Sequence, residues 1–119
     1  MPLANFEISK QTREGIDCIY LKGYLDAHTA PELENAISES VAGGNNRIII
    51  NFRDLDYISS AGLGVFMAFI EDVREKGGDL KMAEMKPRVF NVFDLLGFPV
   101  LFDIMENETL AMEKFKSVK

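Results

Sequence analysis

The run Ile48-Ile49-Ile50, led in by Arg47 and followed by Asn51-Phe52, constrains the fold more than any other stretch of this chain. A strand with one wetted face alternates apolar and polar residues. A β-branched run with no polar break belongs to a strand covered on both faces, the usual situation in a parallel sheet. Parallel neighbours cannot be joined by a tight turn and need a crossover, usually a helix.

Helical patterns flank the run on both sides. Upstream, Thr29-Ala30-Pro31-Glu32 reads as a helix start, with Thr29 capping, Glu32 returning the bond as a capping box and Pro31 in the first turn. Leu33, Ala36, Ile37 and Ser40 share one face, and Gly43-Gly44 is the stop. Downstream, 54–60 reads as a loop. A helix is then expected over 62–76, with Leu63, Phe66, Met67, Ile70 and Val73 as its apolar stripe. A short strand (80–83), a helix (88–96, with Val89, Val92, Phe93 and Leu96 inward), a strand (100–102) and a closing helix (109–115) complete the pattern. Before all of this, 5–10 reads as an edge strand around Phe6 and Ile8. Glu14-Gly15 turns it into a second strand over 16–22, which Gly23 ends. The order is a hairpin followed by alternating helix and strand, which is an α/β sheet covered by helices.

The 119 residues suit one domain, 1–119, and 47% hydrophobic residues supply one core. A net charge of −6 without a basic run argues against nucleic acid and against an anionic membrane surface. The single Cys18 rules out an intrachain disulfide and fits a reducing, cytoplasmic setting. MPLANFEISK lacks the basic and apolar regions of a signal peptide.

Chemistry-bearing patterns are sparse. One histidine and one cysteine cannot build a common zinc site. His28 reads as a surface turn residue and Cys18 as a small packing residue. No P-loop is present, and Asp54 and Asp56 lack calcium-loop spacing. Ser59 and Ser60 lie outside any G-x-S-x-G elbow. The expectation is a protein that is not an enzyme and that carries no metal or cofactor.

Tyr57-Ile58-Ser59-Ser60-Ala61-Gly62-Leu63-Gly64 stands out between the buried strand and the amphipathic helix. It has two readings. A serine there can cap the helix. Alternatively, small residues let another protein reach a hydroxyl, where an added phosphate would meet free N–H groups and the positive end of the helix dipole.

Residues 54–65, Asp-Leu-Asp-Tyr-Ile-Ser-Ser-Ala-Gly-Leu-Gly-Val, closely resemble the signature of the STAS domain family, the anti-sigma factor antagonists. Gly23-Tyr24-Leu25-Asp26, at the matching distance, resembles the family's G-x-L-D turn. Phe93-Asp94-Leu95-Leu96-Gly97-Phe98 resembles its usual ending. The resemblance implies a mixed four- to five-stranded sheet with helices packed mainly on one face. It implies a partner switch, in which the unphosphorylated protein binds an anti-sigma factor that is also a serine kinase of the histidine-kinase-like ATPase fold. The kinase phosphorylates it and lets go, and a PP2C-type phosphatase resets it. The acceptor position corresponds to Ser60, with Ser59, which stands where aspartate is frequent, the less favoured choice. Asp26 corresponds to an acidic residue near the acceptor, and Tyr24 stands at a frequently acidic position, where it bears on partner preference.

The partner face is expected to hold Asp26, His28, Ser59, Ser60 and Gly62, together with Val65, Ala68 and Phe69 on the outer side of the helix. Val65, Ala68 and Phe69 can also be read as scattered surface hydrophobes. Phe98 is either core or an exposed contact. A monomer or weak dimer is expected. The alternative within the same family is an unphosphorylated binding module in a sensory, transport or ligand-binding complex.

Overall fold

In the computed structural model the described residues are 5–116; residues 1–4, at the head of the stretch read against a signal peptide, and 117–119, at the end of the 1–119 range, lie outside them. The elements follow as β1 (Phe6–Arg13), β2 (Ile16–Leu25), α1 (Ala30–Ala42), β3 (Arg47–Ile58), α2 (Ser60–Glu75), β4 (Asp79–Ala83), α3 (Pro87–Leu95), a 3-10 turn (Phe98–Val100), β5 (Ile104–Met105) and α4 (Glu108–Lys116). The five strands form one sheet in chain order. β1 and β2 are antiparallel, and every later pairing is parallel.

Burial on both faces explains the isoleucine run. Ile48 and Ile50 join the main core with residues of α1, α2 and α3. Ile49 turns the other way and packs with Ile16, Cys18 and Ala83 under Ala111, Met112 and Phe115 of α4. Three helices therefore cover one face, and the closing helix covers part of the other. The main core is tied together by Phe52, Phe66, Phe93, Phe98 and Phe102. Phe93 meets Phe52 and Phe98 edge-on, at 5.5 Å in both cases.

Polar anchors fix α4 to its face. Glu108 is buried and accepts bonds from the Tyr20 hydroxyl (2.9 Å) and from Asn51 Nδ2 (3.0 Å), with Arg13 Nη1 at 3.1 Å. Lys81 is buried with its ammonium on Asp79 and Asp103, both at 2.8 Å, and over the Phe115 ring. Buried charges persist when paired in this way. Burial and the Glu108 charge push the Cys18 thiol up to about 11, so Cys18 is a packing residue with little thiolate character.

The structure corrects several sequence expectations. β1 runs on to Arg13. Gly23 does not end β2: the strand continues to Leu25, and Gly23 sits inside it at φ +95° because Asn5 crosses closely, its carbonyl accepting from Tyr24 N at 2.7 Å. A Cβ on Gly23 would stand 1.9 Å from that carbonyl oxygen. Most of 54–60 is strand, because β3 continues to Ile58. One extra residue in β3 between Asn51 and Asp54, and a second between Leu55 and Tyr57, are bulges against β2. They reset the alternation so that Phe52, Leu55 and Ile58 all point into the core.

In α2 the stripe includes Val65 and excludes Met67, which is exposed. Leu96 is exposed rather than inward, and 100–102 is not a strand, since the last strand is Ile104–Met105. Phe98 is core, not an exposed contact. Thr29 does not form a capping box: its backbone is already near-helical (φ −103°, ψ −15°), and its hydroxyl donates to Tyr24 O at 2.9 Å.

Candidate functional site

The C-terminal ends of β2 and β3 lie side by side, with Leu25 opposite Ile58. The chain leaving β3 is stitched to β2 by Ser59 N donating to Leu25 O at 2.9 Å. This bond brings the 59–60 turn beside the Asp26 turn, which sequence places more than thirty residues away. In parallel sheets such strand ends, where loops open into helices, are where ligands and partners meet the fold.

The two serines have different surroundings. Ser59 occupies the cap position with extended backbone (φ −104°, ψ 173°), and its carbonyl accepts from Leu63 N at 3.1 Å. Its hydroxyl makes no cap bond; Ser59 Oγ is buried without a hydrogen-bond partner. The expected serine cap is therefore absent, and the first-turn N–H groups of α2 are claimed by no side chain. Ser60, the first residue of α2, is exposed.

Gly62, expected at the partner face, is buried instead. A Cβ there would lie 2.7 Å from Leu25 Cγ and 3.1 Å from Ile58 Cγ1. The glycine lets the first turn of α2 settle on the two strand ends and so fixes where Ser60 projects. Gly64, two residues on, is exposed, and a Cβ added there would meet nothing within 4 Å. Val65 is likewise a core residue and not part of the outer face. Ala68 is exposed, and Phe69 is half-buried against the core, so these two remain on the surface of α2.

Asp26 closes the turn into α1. Its Oδ1 accepts from His28 N (2.9 Å) and Thr29 N (3.2 Å), and its carbonyl accepts from Ala30 N (2.7 Å). The Thr29 hydroxyl in turn accepts from Asp26 N at 2.9 Å. The carboxylate is thus held in place at the rim, and His28 is exposed beside it. The fold brings Asp26, His28, Ser59 and Ser60 to one end of the sheet.

Sequence reasoning singled out Tyr24 but missed its neighbour. Tyr24 and Tyr57 stand opposite each other in the β2–β3 register, with ring centroids 5.9 Å apart and each 48% exposed. It also missed Lys86, at the start of α3, which pairs with Asp56 while Arg88 Nη2 stands 3.6 Å away. The Lys86 hydrogen bond holds the Asp56 carboxyl below the usual carboxylate range. The partial signal was a tyrosine in each of the two motifs, at 24 and 57; the bulges that align them leave no mark in the sequence. Among the described residues no cluster of histidine, cysteine, aspartate and glutamate could hold a metal ion, and no helix is long and apolar enough to cross a membrane.

The family model described as STAS domain matches residues 7–111. The anti-sigma-B factor antagonist of Bacillus subtilis (strain 168) is 30% identical over 101 residues, covering 84% of this chain and 91% of that protein. The crystal structure of an anti-sigma factor antagonist from Mycobacterium paratuberculosis superposes with a TM-score of 0.87 at 21% identity, over 94% of this chain and 95% of the other. The Bacillus cell fate determinant SpoIIAA in its phosphorylated form superposes with a TM-score of 0.69 at 23% identity, over 92% and 97%.

Proposed function

Because the chain belongs to the STAS domain family, we propose that it acts in the cytoplasm as an anti-sigma factor antagonist, a regulatory binding protein and not an enzyme, switched by phosphorylation of Ser60. The observation that carries the choice of residue is the contrast between the two serines. Ser60 is exposed on the first turn of α2, whereas Ser59 Oγ is buried. A kinase must bring its active site against the hydroxyl it modifies, and only one of the two is open to it.

The unphosphorylated protein binds an anti-sigma factor through the end of the sheet that carries Asp26, His28 and Ser60, with Ala68 and Phe69 extending the contact along α2. The anti-sigma factor is a serine kinase of the histidine-kinase-like ATPase fold, and a PP2C-type phosphatase reverses the modification. Phosphate at Ser60 adds about −1.5 to −2 charges, placed beside first-turn N–H groups that no side chain occupies. The fold accommodates the group locally. The partner, packed over the same spot, meets a new desolvated dianion next to the Asp26 carboxylate, and binding weakens.

The test is mass spectrometry after incubation with ATP and the serine-kinase anti-sigma factor of the source organism. The expected result is one phosphate on Ser60 and none on the Ser60→Ala variant. Phosphorylation of Ser60→Ala at the wild-type rate would refute the assignment, and a stable complex with no phosphate turnover would favour the unphosphorylated binding module.

A further inference from the structure

Among the described residues, eight large apolar side chains are exposed, and four of them, Leu95, Leu96, Val100 and Leu101, come from one short segment. Leu95 and Val100 are 85% and 89% exposed. The segment is the knuckle between α3 and β5. Gly97, at φ +77°, ends the helix, and the 3-10 turn folds Phe98 into the core, where Phe102 joins it. The run from Leu95 to Phe102 carries no charge. The core takes its two phenylalanines and leaves the four aliphatic side chains outside. Isolated surface leucines are ordinary. Four together present roughly 450 Å² of apolar surface, a size at which a patch on a monomer often has a use.

We propose that this knuckle is the face on which two copies of the chain meet in a weak two-fold dimer. Such a dimer is independent of which serine is modified.

The knuckle is built as a rigid surface. Gly97 N donates to Asp94 O at 3.1 Å, Leu101 N to Phe98 O at 2.9 Å and Phe102 N to Phe98 O at 3.0 Å. Arg74 Nη2, from the last turn of α2, donates to Leu101 O at 2.6 Å, and the Phe98 and Phe102 rings stack with centroids 5.6 Å apart. A surface already ordered loses little freedom on docking. The knuckle can also meet itself. A two-fold interface sets a patch against its own copy, so a patch of one charge sign would repel. Here the centre is uncharged and the rim carries both signs. Asp94 is exposed and without an ion pair among the described residues, and half-exposed Arg74 touches Leu101. Each copy offers the other an Arg74 for its Asp94.

Area sets the strength. Two such patches bury about 900 Å² of apolar surface, in the range of weak, transient interfaces rather than the roughly 1,600 Å² of a standard stable complex. A Kd of roughly tens of micromolar or above follows. Arg74 stands about 20 Å along α2 from Ser60, so the dimer leaves both Ser60 turns open.

The experiment is sedimentation equilibrium of the full chain from about 10 μM to about 1 mM. The wild-type mass should rise from that of one chain towards that of two. Leu95→Glu/Val100→Glu should weaken the association at least tenfold, and Tyr24→Glu, at the other end of the molecule, should not change it. Both substituted knuckle side chains are exposed, so the Tm of the paired variant at low concentration should match wild type. As a second measurement, Val100→Cys in a chain whose own Cys18 is buried should be trapped as a disulfide-linked dimer by oxidised glutathione at least tenfold faster than Glu34→Cys on α1. A wild-type chain that stays monomeric to about 1 mM, a dimer that Leu95→Glu/Val100→Glu leaves intact, or equal trapping of the two cysteines would overturn the inference. Co-sedimentation of the monomer with phosphatidylcholine vesicles, lost in the paired variant, would assign the knuckle to a lipid surface and likewise overturn it.

Discussion

Gly62 and Gly64 lie two residues apart in one helix, and replacing each with alanine should move stability in opposite directions. Alanine in a helix interior is favoured over glycine by about 1 kcal/mol, because the unfolded glycine has more freedom to lose. Gly64 is exposed and nothing lies within 4 Å of an added carbon, so Gly64→Ala should show most of that gain. At Gly62 the same gain is opposed. The new methyl would stand 2.7 Å from Leu25 Cγ, 3.0 Å from Leu25 Cδ2 and 3.1 Å from Ile58 Cγ1. Leu25 Cγ is a branch carbon on a fully buried side chain, so it cannot swing aside as a flexible tip would. Overpacking of this kind costs about 1–3 kcal/mol. Against a gain of about 1 kcal/mol, the upper part of that range dominates, and Gly62→Ala should lose about 1–2 kcal/mol.

The two variants should therefore differ by roughly 2–3 kcal/mol, or about 8–12 °C in Tm for a domain of this size, read by thermal unfolding on one preparation. Phosphorylation assays supply the second axis. Gly64→Ala should be the more stable protein yet the poorer kinase substrate, because it adds bulk one turn from Ser60 where the fold asks for none. If Gly62→Ala matches or exceeds the wild-type Tm, the close packing of α2 on Leu25 and Ile58 is not what that glycine serves. If Gly64→Ala is phosphorylated at the wild-type rate, its lack of a side chain does not serve the partner.

Asp79 is partly buried, which works against its charge, but bonds from Lys81, Arg74 and Leu80 N outweigh this and hold its carboxyl below the usual range. A depressed folded pKa contributes stability that is present above the unfolded value, about 3.9, and is lost as pH falls through the folded value. Asp79→Asn should thus cost about 2 kcal/mol at pH 7, since it also weakens the pairing of buried Lys81, and the gap to wild type should narrow at pH 3; a gap independent of pH would mean that the ion pair is not its source. Asp26→Ala should cost about 1 kcal/mol in thermal unfolding by leaving His28 N without its acceptor and Thr29 N with the Asp26 carbonyl alone, whereas Asp26→Asn, which keeps an acceptor oxygen, should lose little; equal losses would point to charge rather than to the turn.

The isoleucine run was legible because its cause is local: an unbroken apolar strand must be covered twice, whatever covers it. The stretch after it was not legible. Reading 54–60 as a loop follows the poor strand propensity of Asp54 and Asp56, yet the chain keeps pairing with β2 and absorbs its extra residues in two bulges. Bulges answer to the neighbouring strand, so no window along one strand reveals them. The capping box failed for a similar reason. Thr29 and Glu32 have the right spacing, but the Thr29 hydroxyl is committed to Tyr24 O and Asp26 N, and the preceding strand decides that. Phe98 was ambiguous because Pro99 suggests an open loop, whereas the 3-10 turn folds the ring back onto Phe93.

The adjacent serines mark the boundary most sharply. Ser59 and Ser60 are chemically the same, and composition, period and spacing treat them alike. What separates them is one step of backbone at the point where a strand becomes a helix. Ser59 is still extended and tied to Leu25, and its hydroxyl is buried; Ser60 is already helical and exposed. The family resemblance favours Ser60 by position in a motif, and burial favours it by access to the hydroxyl. These grounds are independent, because the motif contains no information on burial and the burial would be the same in a protein that no kinase ever meets. Their agreement makes Ser59→Ala an informative companion to Ser60→Ala. The Ser59 hydroxyl satisfies no bond, so its removal should leave both stability and phosphorylation close to wild type. A large loss of phosphorylation in Ser59→Ala with stability intact would show that the buried hydroxyl acts on its neighbour, and that access alone does not explain the choice between them.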